Sequence, residues 1–190
     1  MRRIISKQAE AKRSKRNQYI LGGILIFVMF FSVLGYGFMG QDKETNSKKI
    51  EYNGFEFINQ NGLWYSEIGG IQFAFKYNPK EVGQMPRELN GLENYQDKPL
   101  YISSENSEAE LEIYRNLDRF VLRRQPACLV NETCEDPELP IKTCDDNFIL
   151  IKESENMNIV QENNCVHIFA PSENLTQITD EFLFKMLGIE

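Results

Sequence analysis

Hydrophobic and polar positions alternate most regularly between Ile50 and Tyr77. Within this stretch Asn61-Gly62 and Gly69-Gly70 are both favoured two-residue hairpin turns, and they set the register of the strands beside them. Phe55 then faces Ile68 and Phe57 faces Ser66 across the first hairpin. Across the second, Ile68 faces Ile71, Ser66 faces Phe73 and Trp64 faces Phe75. Side chains alternate between the two faces of a sheet. One face therefore collects Phe55, Phe57, Trp64, Ile68, Ile71, Phe73, Phe75 and Tyr77, while the other receives Glu56, Glu67, Gln72 and Lys76. The pattern predicts an antiparallel meander with one face in the core, ended by Tyr77-Asn78-Pro79.

The remaining pattern is sparser. Lys80 to Lys98 reads as a loop region, and Pro99 to Ser103 as a short apolar strand. Ser107 and Glu110 form a capping box ahead of Ala109, Ile113, Leu117 and Phe120, whose spacing predicts a helix to about Leu122. Cys128 to Cys144 is rich in acids and prolines and reads as a loop. Phe148 to Ile151 is apolar on both faces, as a central strand would be, and strands at Ile159–Gln161 and Cys165–Phe169 follow. Pro171-Ser172 opens a last helix with Leu175, Ile178, Phe182 and Met186 on one stripe and Gly188 as its C-cap. The expected fold class is α+β: a mainly antiparallel sheet of five or six strands packed with two helices.

The N-terminal pattern is different in kind. Ile20 to Met39 carries no charge, and about 20 apolar residues are what a helix needs to cross a bilayer. Seven basic residues and one acid occupy Met1 to Tyr19, which leaves 14 basic against 27 acidic residues, a net −13, for the rest of the chain. Under the positive-inside rule the expected organisation is a basic cytoplasmic tail at 1–19, a transmembrane helix at 20–40, a linker at 41–49 and an extracytoplasmic domain at 50–190. A cleaved signal peptide is the rival reading of the same run. The expected location is the cell membrane, single-pass, with the lipid bilayer and other envelope proteins as partners. The acidic domain argues against nucleic acid.

Four cysteines, Cys128, Cys134, Cys144 and Cys165, all lie beyond the uncharged run. An even count in an exported domain reads as two disulfides. Of the three possible pairings, Cys128 with Cys134 and Cys144 with Cys165 is favoured. No C-x-x-C pair is present, so the spacing supports neither a zinc site nor a thioredoxin-type motif. Asn131-Glu132-Thr133 and Asn174-Leu175-Thr176 are glycosylation sequons. The one histidine, His167, shares a strand face with Cys165, an arrangement that invites a nucleophile-and-base reading. Glu132, Glu135, Asp136, Glu138, Asp145 and Asp146 form an acidic surface without a D-x-D-x-D-G calcium loop. No signature of common hydrolases, nucleotide-binding proteins or metalloproteases occurs, and no catalytic residue, metal ligand or cofactor is assigned.

The basic tail and uncharged run, followed by Y-N-G-F-E-F, G-G-I-Q-F-A-F-K-Y-N-P, N-N-C-V-H-I-F and K-M-L-G-I, together resemble uncharacterised archaeal single-pass membrane proteins with a small extracytoplasmic α+β domain. That resemblance implies no activity. The expected function is a non-enzymatic interaction or assembly module of the cell envelope. The alternatives are an extracytoplasmic hydrolase or thiol-redox enzyme, and a small-ligand or sugar sensor with an aromatic cleft around Trp64 and Tyr77.

Overall fold

The computed structural model describes residues 17–32, 48–83, 89–134 and 136–189. The chain divides into two units, residues 1–46 and 47–190. In the first, residues 17–32 form helix α1. No helix among the described residues is long and apolar enough to cross a membrane, which overturns the transmembrane helix expected at 20–40. Residues 33–47, which include the end of that run and most of the linker, and residues 1–16 of the basic tail lie outside the described residues.

The second unit is α+β, but with more strands than expected and a mixed topology. An antiparallel sheet runs in the order β1 (Lys49–Tyr52), β2 (Phe55–Gln60), β3 (Leu63–Ile68) and β4 (Ile71–Phe75). Its turns are Asn53-Gly54, Asn61-Gly62 and Gly69-Gly70, in which all six residues have positive φ, the backbone that a type I′ hairpin requires. Trp64 pairs with Phe75, Ser66 with Phe73 and Ile68 with Ile71, the register expected from the turns. The extra strand β1 follows from the first Asn-Gly pair.

The second sheet has the order β10 (Asn158–Glu162), β11 (Cys165–Ala170), β9 (Asn147–Glu153), β5 (Pro99–Ser104) and β6 (Arg123–Pro126). Only β10 and β11 pair antiparallel; β11, β9, β5 and β6 run parallel. The expectation of a mainly antiparallel sheet of five or six strands is therefore corrected. Parallel neighbours need crossovers, and α2 (Ser107–Leu117) supplies one between β5 and β6. A third, two-stranded sheet pairs β7 (Cys128–Leu129) with β8 (Ile141–Lys142).

Helices α2 and α3 (Leu175–Met186) lie between the two larger sheets and share one core with both. From the antiparallel sheet come Phe57, Trp64, Phe73 and Phe75, and from the mixed sheet Ile102, Ile149, Ile151 and Ile168. Phe184 of α3 meets Phe57 edge-on at 5.8 Å and Phe75 at 4.5 Å between ring centroids. Because α3 is covered on both sides, Thr179, Asp180 and Glu181 are buried together with its apolar stripe. The other face of the mixed sheet carries a smaller core of Tyr101, Phe148, Leu150 and Cys165, capped by Leu129 of β7.

Two helix boundaries also shift. Asn106 in extended backbone, and not Ser107, caps α2; its Oδ1 accepts from Ala109 N at 2.9 Å. The helix stops at Leu117, because residues 118–122 turn the chain into β6. Gly188 follows α3 with φ +73°, as a C-terminal glycine should.

Candidate functional site

Three side-chain groupings stand out, on separate parts of the fold. The first surrounds the bridge on the mixed sheet. Cys144 is joined to Cys165 and Cys128 to Cys134, with no free cysteine. Cys165 opens β11 and His167 follows two residues on, so both project from the sheet face that carries the smaller core. Cys144 approaches from the irregular segment between β8 and β9. The two sulfurs and an imidazole nitrogen of His167 all lie within 4.8 Å of one another, the one such convergence of three potential metal ligands among the described residues. Both bridges are the pairing favoured from the sequence, and the pairing of β11 with β9 is what brings Cys144 to Cys165. The fully buried sulfur of Cys165 is committed to a bridge, so it is not a nucleophile for His167 in this state.

The second grouping is a buried polar layer between the helices. Asn116 of α2 accepts from Ala74 N at 3.0 Å and donates to Ala74 O at 2.9 Å, so it pairs with β4 as a strand would. One turn earlier, Glu112 accepts from Arg115 at 2.5 Å, and Asp180 of α3 accepts from Tyr77 N at 2.8 Å through Oδ2. No donor reaches Glu112 Oε2 or Asp180 Oδ1, although the two carboxyls are within hydrogen-bonding reach of each other. Burial first, then the charge of Glu112, holds the Asp180 carboxyl well above the ordinary range, and burial also raises Glu112 against the pull of Arg115. A proton on Asp180 satisfies both orphaned oxygens. Both carboxyls are sealed from solvent, so the pair is built as a structural contact and offers no access to a substrate.

The third grouping is open. On the outer face of α2 a shallow depression of about 480 Å³ is lined by Leu111, Tyr114, Arg115, Asp118, Arg119 and Arg124. Leu111 is 52 % exposed. The guanidinium of Arg124 lies 4.1 Å from the centroid of the Tyr114 ring and 3.4 Å from Asp118, while Arg119 lies 5.8 Å from the Phe73 ring. Tyr114 donates to Glu110, and burial together with that carboxylate raises its hydroxyl above its usual range. These residues escaped the sequence reading, which used the Ala109, Ile113, Leu117 stripe to find the helix and left its opposite face unread. Leu111 and Arg115 recur at helical spacing on that face, with Asp118 at the C-cap and Arg119 just past the helix end.

The other expected sites are dispersed. Glu132 pairs with Lys152 at 2.7 Å and Asp146 with Lys142 at 3.4 Å; Asp136 Oδ1 accepts from Glu138 N, and Asp145 from Thr143. Glu135 lies outside the described residues. Lys142 sits 4.0 Å from the Tyr101 ring centroid and Arg123 donates to Tyr101 Oη at 2.9 Å. Contact with Lys142 foremost, and then with Arg123, lowers the Tyr101 hydroxyl below its usual value and pins β8 to the sheet. Asn131 is exposed in a turn with φ +70°. Asn174, by contrast, is half-buried and donates to Gln177, and Thr176 of its sequon is buried. Trp64 is 4 % exposed and belongs to the core, while Tyr77 is half-buried. No protein-family model, curated protein or solved structure matches this chain.

Proposed function

We propose that the disulfide-bonded α+β domain is a non-enzymatic interaction module of an oxidising compartment, and that it docks an acidic partner protein through the outer face of α2. The observation that carries this reading is the depression itself: three arginines, a tyrosine and an exposed leucine gathered with Asp118 at the C-terminal end of α2, Arg124 reaching in from β6, on a domain with a large excess of acids. Arginine and tyrosine are the residues that dominate binding hot spots, because each offers a broad contact surface with polar ends. Stacking on Tyr114 holds Arg124 in place before a partner arrives, which lowers the ordering cost of binding. The surrounding acidic surface repels acidic partners everywhere else and so favours this one orientation. The two bridges support the compartment, since disulfides persist where the medium is oxidising.

The test uses a peptide of alternating glutamate and leucine as a stand-in for the partner segment, titrated into isotopically labelled protein and followed by amide chemical shifts. Shifts confined to α2 and Arg124, diminished by salt and weakened at least about tenfold, or 1.4 kcal/mol, by Arg119→Glu with Arg124→Glu are the expected result. Shifts spread over the whole domain, or unaffected by the two reversals, would reject the reading.

A further inference from the structure

The cluster of Cys144, Cys165 and His167 has a second use for its sulfurs. Three observations bear on it. The two sulfurs and a ring nitrogen already lie within 4.8 Å of one another. The His167 ring is half-buried, stacks on Phe169 at 6.1 Å and makes no hydrogen bond among the described residues, so its nitrogen lone pair is uncommitted. Cys144 is also held beside β11 without the bridge: Asn164 N donates to Cys144 O at 3.1 Å, and Asn164 O in turn accepts from Phe148 N at 3.0 Å. Opening the disulfide therefore leaves the two sulfurs next to each other.

We propose that the reduced form of this cluster is a binding site for a soft divalent metal ion such as zinc, held by the Cys144 and Cys165 thiolates and the His167 imidazole, with a fourth position left to water. Thiolate and imidazole are the donor set that suits such ions, in tetrahedral geometry with metal to sulfur distances of about 2.3 Å and metal to nitrogen distances of about 2.0 Å. In a tetrahedral site the two sulfurs stand about 3.8 Å apart, so once their bond is opened they move apart while the imidazole nitrogen closes on them by roughly an ångström. Cys165 and His167 are fixed by the ladders on both sides of β11; Cys144, in an irregular segment, supplies the movement. In the exchange an external dithiol gives up two electrons and two protons to the Cys144–Cys165 bond and becomes a disulfide. The metal then displaces both thiol protons into solvent and accepts the imidazole lone pair. Bridge and ion compete for the same two sulfurs, so the site loads under reducing conditions and empties when an external disulfide accepts the two electrons back, becoming a dithiol as the Cys144–Cys165 bond re-forms and the ion leaves.

The experiment uses the full chain carrying Cys128→Ser and Cys134→Ser, so that Cys144 and Cys165 are its only thiols. After reduction by a phosphine under argon it is titrated with Co²⁺, then Zn²⁺. One Co²⁺ per chain is expected, with a thiolate charge-transfer band and the visible bands of tetrahedral cobalt, both displaced by Zn²⁺. His167→Ala should weaken binding at least about tenfold, and Cys144→Ser should abolish the charge-transfer band. If the reduced chain loses its far-ultraviolet dichroism, Zn²⁺ must restore it, because binding is then coupled to folding. The proposal is overturned if no charge-transfer band forms, if His167→Ala binds as tightly as its parent, or if an unfolded reduced chain stays unfolded with Zn²⁺.

Discussion

Replacing Asp180 by asparagine gives a stability change whose sign depends on pH. The carboxyl is completely buried, with one oxygen bonded to Tyr77 N and the other facing Glu112 without a donor. Its folded-state pKa is raised well above the unfolded value, so the folded state binds a proton that the unfolded state releases. Stability from this group is complete below the unfolded value, about 3.9, and is lost as pH rises from there toward the raised folded value. The slope is about 1.4 kcal/mol per pH unit while the folded carboxyl stays protonated. The substituted amide keeps an oxygen for Tyr77 N, places an N–H where the shared proton stood, and does not titrate. Asp180→Asn is therefore expected to leave stability near that of the parent at pH 4 and to exceed it by at least about 1.4 kcal/mol at pH 8. For a domain of this size that is a melting temperature at least about 3 °C higher. Thermal melts of both proteins by circular dichroism, in matched buffers across pH 4 to 8, read the difference, which belongs to the Asp180 and Glu112 pair as a unit because the two carboxyls are coupled. Parallel stability curves over the whole range would refute the shared-proton account of the acid pair.

Further expectations concern packing, the bridges and the sequons. Asn116→Ala removes both bonds to Ala74 and leaves a buried N–H and C=O unpaired, so urea unfolding should show a loss of about 2–4 kcal/mol. Phe184→Ala empties the space between Phe57 and Phe75 and should cost about 3–5 kcal/mol by the same measurement. Removing the Cys144–Cys165 bridge, which closes the longer loop, should destabilise by about 3 kcal/mol against about 2 for Cys128–Cys134; an equal or reversed order would count against loop closure as the cause. In a glycosylating host, mass analysis should find Asn131 modified and Asn174 bare, because Thr176 is buried and Asn174 is engaged with Gln177.

How much of this was legible beforehand follows from where each signal is local. Turn chemistry is local: two Asn-Gly or Gly-Gly pairs fixed the pairing of Trp64 with Phe75, and Gly188 marked the end of α3. The apolar run Phe148–Ile151 also identified a strand buried on both faces. What escaped depends on partners distant in sequence. Strand β6 reads R-R-Q-P and has no apolar alternation, because it lies at a sheet edge; without it the parallel β5–α2–β6 crossover is invisible. Asp180 and Glu112 look like solvent-facing helix residues until a second sheet closes over α3. The sulfur cluster was legible in part: the favoured Cys144–Cys165 bridge is present and His167 sits two residues beyond Cys165 on one strand, while the approach of the imidazole to both sulfurs depends on the fold. Of the arginines in the depression, Arg115 of α2 needed only a reading of the helix face away from the core, whereas Arg124 comes from β6 and depended on the crossover.

The docking reading is tested most directly from Leu111, the apolar residue in the arginine-lined depression. A photoactivatable side chain placed there in the full chain, expressed in its native cell and irradiated, should cross-link one acidic protein. The cross-link should disappear with Arg119→Glu and Arg124→Glu and should be absent from the same probe at Ile141, an exposed residue on β8. A cross-link that survives both charge reversals, or none from position 111 at all, would contradict the account.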